Sequence, residues 1–158
     1  MSEKKNKKLR ILALLCLAII VISSFRLTVG FGAGDSSVDH LEEGKSAFEN
    51  KDYQLAIELL ESCLGKGYDI DDVTLSEVHL LLAEAYQYVG RYSDAVVSAQ
   101  TALEAGIKDR DAAYSIIGRS YIANGNKEKA EDLIMKLYLL GKDSLIEEIE
   151  AGPKKERE

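Results

Sequence analysis

The chain has 158 residues, with 20 Lys and Arg against 27 Asp and Glu, one proline and no tryptophan. Six of the cations (Lys4, Lys5, Lys7, Lys8, Arg10, Arg26) and one acid, Glu3, fall in residues 1–34, so residues 35–158 carry 14 cations, 26 acids and a net charge of −12. That length holds one domain of ordinary size and a short appendage. So acidic a domain disfavours nucleic acid, whose phosphates need Lys and Arg, and it attracts basic partners while anionic lipid repels it. Cys16 lies in an apolar run and Cys63 in a helical pattern, so the two form neither a disulfide framework nor a zinc-type cluster.

Residues 1–8 form a basic head. Between Arg10 and Arg26 lie 15 uncharged residues, "ILALLCLAIIVISSF", which as a helix cover ~22 Å, short of a hydrocarbon core of ~30 Å. Leu27, Val29 and Phe31 extend the apolar character and both arginines can snorkel. Residues 9–31 then reach about 34 Å, enough to cross a bilayer. The segment reads as an uncleaved signal anchor. The alternative is a cleaved signal peptide cut at "GFGAG", with secretion of the remainder; Arg26 interrupts the approach to that site and disfavours it. Leu14 and Leu15 before Cys16 disfavour a lipoprotein signal. The basic head keeps the N-terminus in the cytoplasm, residues 32–36 form a tether, and residues 37–150 lie on the extracytoplasmic side of the cytoplasmic membrane.

Small residues and aromatics then recur at fixed steps. Ala83, Tyr86, Gly90 and Ala95 reappear as Gly118, Tyr121, Gly125 and Ala130, and Gly44, Ala47, Lys51 and Ala56 precede them in the same spacing. His79, Leu82, Ala83 and Tyr86 share one helix face. Ala83 and Ala95 let two helices approach closely, Tyr86 fills the space beside them with its hydroxyl in water, and Gly90 closes the first helix in a left-handed conformation. Thr74 with Glu77 reads as a capping box, Asp109 as a cap, and Ser144 with Glu147 as the start of a short helix that Gly152 and Pro153 stop. Leu145, Ile146 and Ile149 of that helix cover the end of the array.

A period near 34 residues with two helices per period marks a helical solenoid. On these residues the chain resembles the tetratricopeptide repeat (TPR) family, whose pattern runs Trp-x2-Leu-Gly-x2-Tyr, then Ala-x3-Phe, with a closing Pro. His79, Leu82, Ala83, Tyr86, Ala95 and Ala99 match it in the middle copy, and Tyr114, Ile117, Gly118, Tyr121, Ala130 and Ile134 in the third. The first copy keeps His40, Gly44, Ala56 and Leu60, but Glu43 and Ala47 depart from the pattern, and no copy ends in Pro. The resemblance implies an all-α fold: a right-handed solenoid of three helix-turn-helix repeats (37–70, 76–109, 111–142) with a capping helix at 144–150, a tail at 151–158, and one transmembrane helix ahead of it.

The family binds peptides in a concave groove lined by the first helix of each repeat. Carried to this sequence, the groove positions are Leu41, Lys45 and Phe48 in the first repeat, Leu80, Glu84, Gln87 and Tyr88 in the second, and Ser115, Arg119 and Ile122 in the third. Phe48 and Tyr88 are the expected aromatic anchors. The family's carboxylate-clamp positions hold Leu41, Lys45, Leu81, Ala112 and Ile116, a single cation, so that ligand class is not expected.

No Ser-His-Asp or Cys-His set, phosphate loop or carboxylate pair can be assembled, so neither enzymatic activity nor a cofactor is expected. "DIDD" at 69–72 lacks the Gly and the distant Glu of an EF-hand and reads as a charged turn. His40 and His79 occupy packing positions, and Cys63 a small-residue slot. The expectation is a membrane-anchored adaptor holding a protein or peptide partner in a cell-envelope complex. Two alternatives are a structural protein that self-associates, for instance as a homodimer through "EDLIMKLYLLG" (131–141), and, by analogy of layout, a chaperone-like factor at the export channel.

Overall fold

The computed structural model describes residues 37–65 and 69–153. The head, the expected anchor at 9–31 and the tether lie outside them. Among the described residues no helix is long and apolar enough to cross a membrane.

The fold is all-α. The described residues form seven helices and no strand: α1 (Ser37–Glu49), α2 (Tyr53–Cys63), α3 (Asp72–Tyr88), α4 (Tyr92–Glu104), α5 (Arg110–Ala123), α6 (Lys127–Leu139) and α7 (Asp143–Glu150). Each helix packs on its neighbour in sequence, and α1, α3, α5 and α7 also touch one another in series.

The turns that close α1, α3 and α5 are built alike. The N–H groups of Asp52, Arg91 and Asn126 donate to the carbonyls of Ala47, Tyr86 and Tyr121, at 2.9, 2.8 and 2.8 Å. One residue earlier the backbone is left-handed, at Lys51, Gly90 and Gly125, with φ of 64°, 77° and 74°. This is the Schellman arrangement, which satisfies helix-end carbonyls that would otherwise lack donors.

Helix starts follow their carboxylates. Asp52, Asp71 and Asp109 accept from the backbone N–H groups of Leu55, of Val73 and Thr74, and of Ala112. The expected capping box at Thr74 is corrected by this. The cap of α3 lies three residues earlier, at Asp71, and the Thr74 hydroxyl donates to Asp71 Oδ2 at 2.9 Å instead of capping. An ionised carboxylate is the stronger acceptor for those N–H groups. Ser144 does not cap α7 either; Lys142 precedes that helix and makes no side-chain cap bond.

The core is built from small residues meeting branched ones. Ala95, Ala99 and Ala102 of α4 and Ala83 and Ala85 of α3 are fully buried, with Ile57, Leu60, Cys63, Val78 and Ile116 around them. Alanine at 3–4 spacing lets helix axes approach closely. Tyr86 departs from its expected setting. Its hydroxyl donates to Glu61 at 2.5 Å, and Arg91, itself paired with Asp94, lies 4.4 Å from its ring centroid. Burial first, then Glu61, pushes the phenol well above its ordinary pKa. A second cluster joins Leu137, Leu145 and Ile149 to Tyr114, Leu133, Ile134 and Ile146, so α7 seals α5 and α6. Burying a Leu or Ile of this kind stabilises by about 1.5–3 kcal/mol.

Candidate functional site

Contacts along the series α1, α3, α5 and α7 decide which side chains face water. The flank of α1 turned toward α3 is covered, so Leu41 is 6% exposed and belongs to the core, contrary to its expected place in the groove. Leu80 is half-buried against the same core. Lys45 keeps a partly open position, with its Nζ 3.1 Å from Glu42 and 3.9 Å from Glu77.

Phe48 and Tyr88 do come together, but in a cluster of three rings. Tyr53, at the start of α2, stacks on Tyr88 with centroids 4.2 Å apart and planes 5° from parallel, and Phe48 meets both edge-on at 5.4 and 6.0 Å. The three half-buried rings join α1, α2 and α3 through these contacts. Ile122 is exposed at 38%.

Gln87, Ser115 and Arg119 are buried at 8%, 1% and 3% exposure, yet Ser115 and Arg119 still line a hollow on this side of the helices. The same series of contacts covers them. Gln87 Nε2 donates to the Ile116 carbonyl and to Ser120 Oγ, both at 2.9 Å, while its Oε1 accepts from Arg119 Nη2 at 3.2 Å. Arg119 Nη1 donates to Glu148 Oε1 at 3.4 Å, and Ser115 Oγ donates to the same oxygen at 2.9 Å. A continuous polar chain thus runs from α3 through α5 to α7. Arg119 Nε is buried and meets no acceptor among the described residues.

Above this chain lies a hollow of about 290 Å³. Glu84 of α3, Asp109 and Asp111 at the start of α5, Ser115, Arg119 and Glu148 of α7 line it. Three expected groove residues, Glu84, Ser115 and Arg119, are therefore brought to one place. Asp109, Asp111 and Glu148 join them, and the sequence reading did not include these. Asp109 arrives as the cap of α5 and Asp111 from its first turn. Glu148 arrives because Leu145 and Ile149 face the core, which sets position 148 on the adjoining flank of α7; that spacing was the available signal. Lys142 Nζ lies 2.7 Å from Asp111. The expected mixed lining of two cations and one acid is, at this end, dominated by carboxylates.

The remaining titratable candidates are packing groups. Burial pushes the Cys63 thiol up, away from the reactive thiolate. His79 is half-buried and burial holds its pKa below the usual value; its Nδ1 has no hydrogen-bond partner among the described residues. No group of three His, Cys, Asp or Glu suited to a metal ion occurs among those residues. No family model matches the chain, and no curated protein matches it either.

Proposed function

We propose that the chain is a tetratricopeptide-repeat adaptor, anchored in the cytoplasmic membrane through residues 9–31, that holds a protein or peptide partner on the extracytoplasmic side. The observation that carries this reading is the turn repeated after α1, α3 and α5, with the same hydrogen bond and left-handed residue at positions that align in the sequence. Such turns end many helices, α4 and α6 of this chain among them, so the support lies in their aligned spacing after every second helix, which stacked repeats of one unit would give. The open hollow among α3, α5 and α7, at positions where the family binds ligand, supports a binding role over catalysis.

The test is a photo-crosslinking residue at the exposed Ile122 in the full-length protein, in its native membrane. A discrete heterologous adduct, lost on Glu84→Arg, is the expected result. Adducts only between copies of the chain, or none, overturn the reading.

One observation favours a second reading, self-association. Met135, Tyr138, Leu139 and Leu140 at the end of α6 are 60–77% exposed. So many large apolar groups in one strip are unusual on a monomer. Light scattering of the full-length chain in detergent separates the readings. A dimer that Tyr138→Glu with Leu139→Lys dissociates favours self-association, and a monomer removes it.

A further inference from the structure

Helix α3 packs between α2 and α4, and α5 between α4 and α6. Helix α7 also packs on α6, but no described helix follows it to cover its other flank. Left open between α6 and α7 is a groove of about 670 Å³, lined by Ile134, Met135, Tyr138 and Ile146 and by one carboxylate from each helix, Glu131 and Glu150. Met135 and Tyr138 are exposed, and large apolar groups gathered in the open around a groove mark an interaction surface.

The preceding repeat shows what such a groove receives. Leu103 of α4 and Ile117 of α5 line a hollow with Lys129, Leu133 and Lys136 of α6, and Leu133 packs into the same core as the other two apolar residues. Met135 and Tyr138 stand 35 residues beyond Gln100 and Leu103, the step that separates Ala95 from Ala130. The surface that meets α6 in one repeat therefore recurs at α6 and α7 in the next, where no described helix meets it. By this equivalence the occupant is a helix whose apolar stripe is bordered at a spacing of three and four, as Leu133 is by Lys136 and Lys129.

Charge selects among such helices. Glu131 and Glu150 are exposed and take part in no ion pair or side-chain hydrogen bond among the described residues. Glu128 and Asp132 stand seven and three residues before Met135, on the same face of α6, and no Lys or Arg lines the groove. Cations on an incoming helix meet these unpaired carboxylates, and the net charge of −12 on residues 35–158 acts in the same direction. A second copy of the chain is a poorer occupant, because α6 against α6 sets Glu128, Glu131 and Asp132 against their own kind or under apolar residues.

We propose that the groove between α6 and α7 receives an amphipathic helix of a partner protein, with its apolar stripe on Met135, Tyr138 and Ile146 and its lysines or arginines on Glu131 and Glu150. The donated helix stands where the next helix of the array would stand. The groove shares no residue with the hollow among α3, α5 and α7, so it adds a second, helix-binding site to the adaptor reading.

The test uses the full-length chain in phosphatidylcholine nanodiscs and three fluorescein-labelled peptides of about 16 residues. The first has apolar residues at i, i+3, i+4 and i+7 with lysines beside them. The second has glutamates for the lysines, and the third shuffles the first so that no apolar face forms. Anisotropy, with empty nanodiscs subtracted, is expected to show at least ten-fold tighter binding of the first peptide than of either other. Met135→Gln with Tyr138→Gln is expected to weaken that binding at least ten-fold. Glu131→Lys with Glu150→Lys is expected to reverse the order of the lysine and glutamate peptides. Glu43→Lys with Glu49→Lys makes the same change of charge on exposed positions of α1 and is expected to shift the first peptide less than two-fold. Equal effects of the two charge reversals mean diffuse attraction and overturn the proposal, as does equal binding of the shuffled peptide. If no peptide binds, the proposal falls, while a heterologous adduct at Ile122 still sustains the adaptor reading. If the first peptide binds as expected and that adduct is absent, the groove site stands and the reading built on the hollow falls.

Discussion

Gly118 of α5 lies directly beneath Ile149 of α7: a Cβ placed on the glycine would stand 2.7 Å from Ile149 Cγ2. No carbon pair tolerates that separation, so α7 seats on α5 only because position 118 has no side chain. Gly44 meets Leu60 in the same way, with 2.8 Å to Cγ, at the aligned position of α1. Gly118→Ala therefore lifts α7, and overpacking of this kind costs about 1–3 kcal/mol. A thermal melt followed at 222 nm is expected to show the loss. Adding Ile149→Ala removes the clashing branch, so the double variant loses less than the two single changes added together. Strict additivity would show that the two residues do not compete for the same space.

Lys51 holds the left-handed position that Gly90 and Gly125 hold in the other two turns, at φ 64°. A side chain there costs about 1–2 kcal/mol, partly offset because glycine loses more backbone freedom on folding, by about 0.5–1 kcal/mol. Lys51→Gly is expected to gain about 0.5–1 kcal/mol net, which for a domain of this size raises the Tm by a few degrees. Gly90→Lys runs the other way and lowers it. An unchanged melting temperature in both variants would show that the turn does not need the left-handed backbone.

The helix pairs and their turns are legible in the sequence because close packing admits few residue types. Ala83, Ala95 and Gly118 stand where a larger side chain would push helices apart, and a fixed repeat length makes that constraint visible three times. The groove is harder to read. Helical spacing separates an inner face from an outer one, but it does not tell whether the next helix covers the flank of that face. Leu41, Gln87, Ser115 and Arg119 sit on such covered flanks. Asp109 and Glu148 reach the hollow from a helix cap and a terminal helix, outside the periodic pattern, and Asp111 from the first turn of α5. Tyr53 opens α2, away from the first helices on which the groove reading rested, and only the fold brings it against Tyr88.

Burial holds the pKa of His79 below its ordinary value of 6.5 in the folded chain. The unfolded chain then binds the proton first as pH falls, so the stability tied to neutral His79 is full above pH ~6.5 and declines as pH drops through the folded-state value. Melting temperatures at pH 7.5 and 5.5 should differ less for His79→Leu than for the parent. The substitution also removes the unpartnered Nδ1, so it does not destabilise at pH 7.5. An identical pH response in parent and variant would place the titrating group elsewhere.

Asp71 titrates in a lower window. The hydrogen bonds from Thr74 and Val73 hold its carboxyl below the ordinary value of 3.8. Its contribution is present above that value and is lost as pH falls through the folded-state pKa. Asp71→Asn keeps an acceptor at the start of α3 but cannot titrate, so the loss of helicity between pH 4 and pH 2 should be smaller in the variant. An unaltered acid transition would show that other carboxylates govern it.

Gln87 holds three partners at once: the Ile116 carbonyl, Ser120 Oγ and the Arg119 guanidinium. Gln87→Leu is close in volume and leaves Ser120 Oγ and Arg119 Nη2 without that partner in a buried setting, where each unmade bond costs about 1–3 kcal/mol, while the Ile116 carbonyl keeps its bond within α5. The expected effect is a large loss of stability, with Arg119 the main sufferer because its charge is also buried. Arg119→Met alone removes that charge and frees Glu148, which is half-exposed and returns to water at little cost. The double variant Gln87→Leu with Arg119→Met should therefore be more stable than Gln87→Leu alone, with a coupling of about 0.5–3 kcal/mol between the two sites. Denaturant melts of the four proteins measure it. A coupling near zero would mean that Gln87 supports α5 through Ile116 and Ser120 only, and that the guanidinium is held by Glu148 without it.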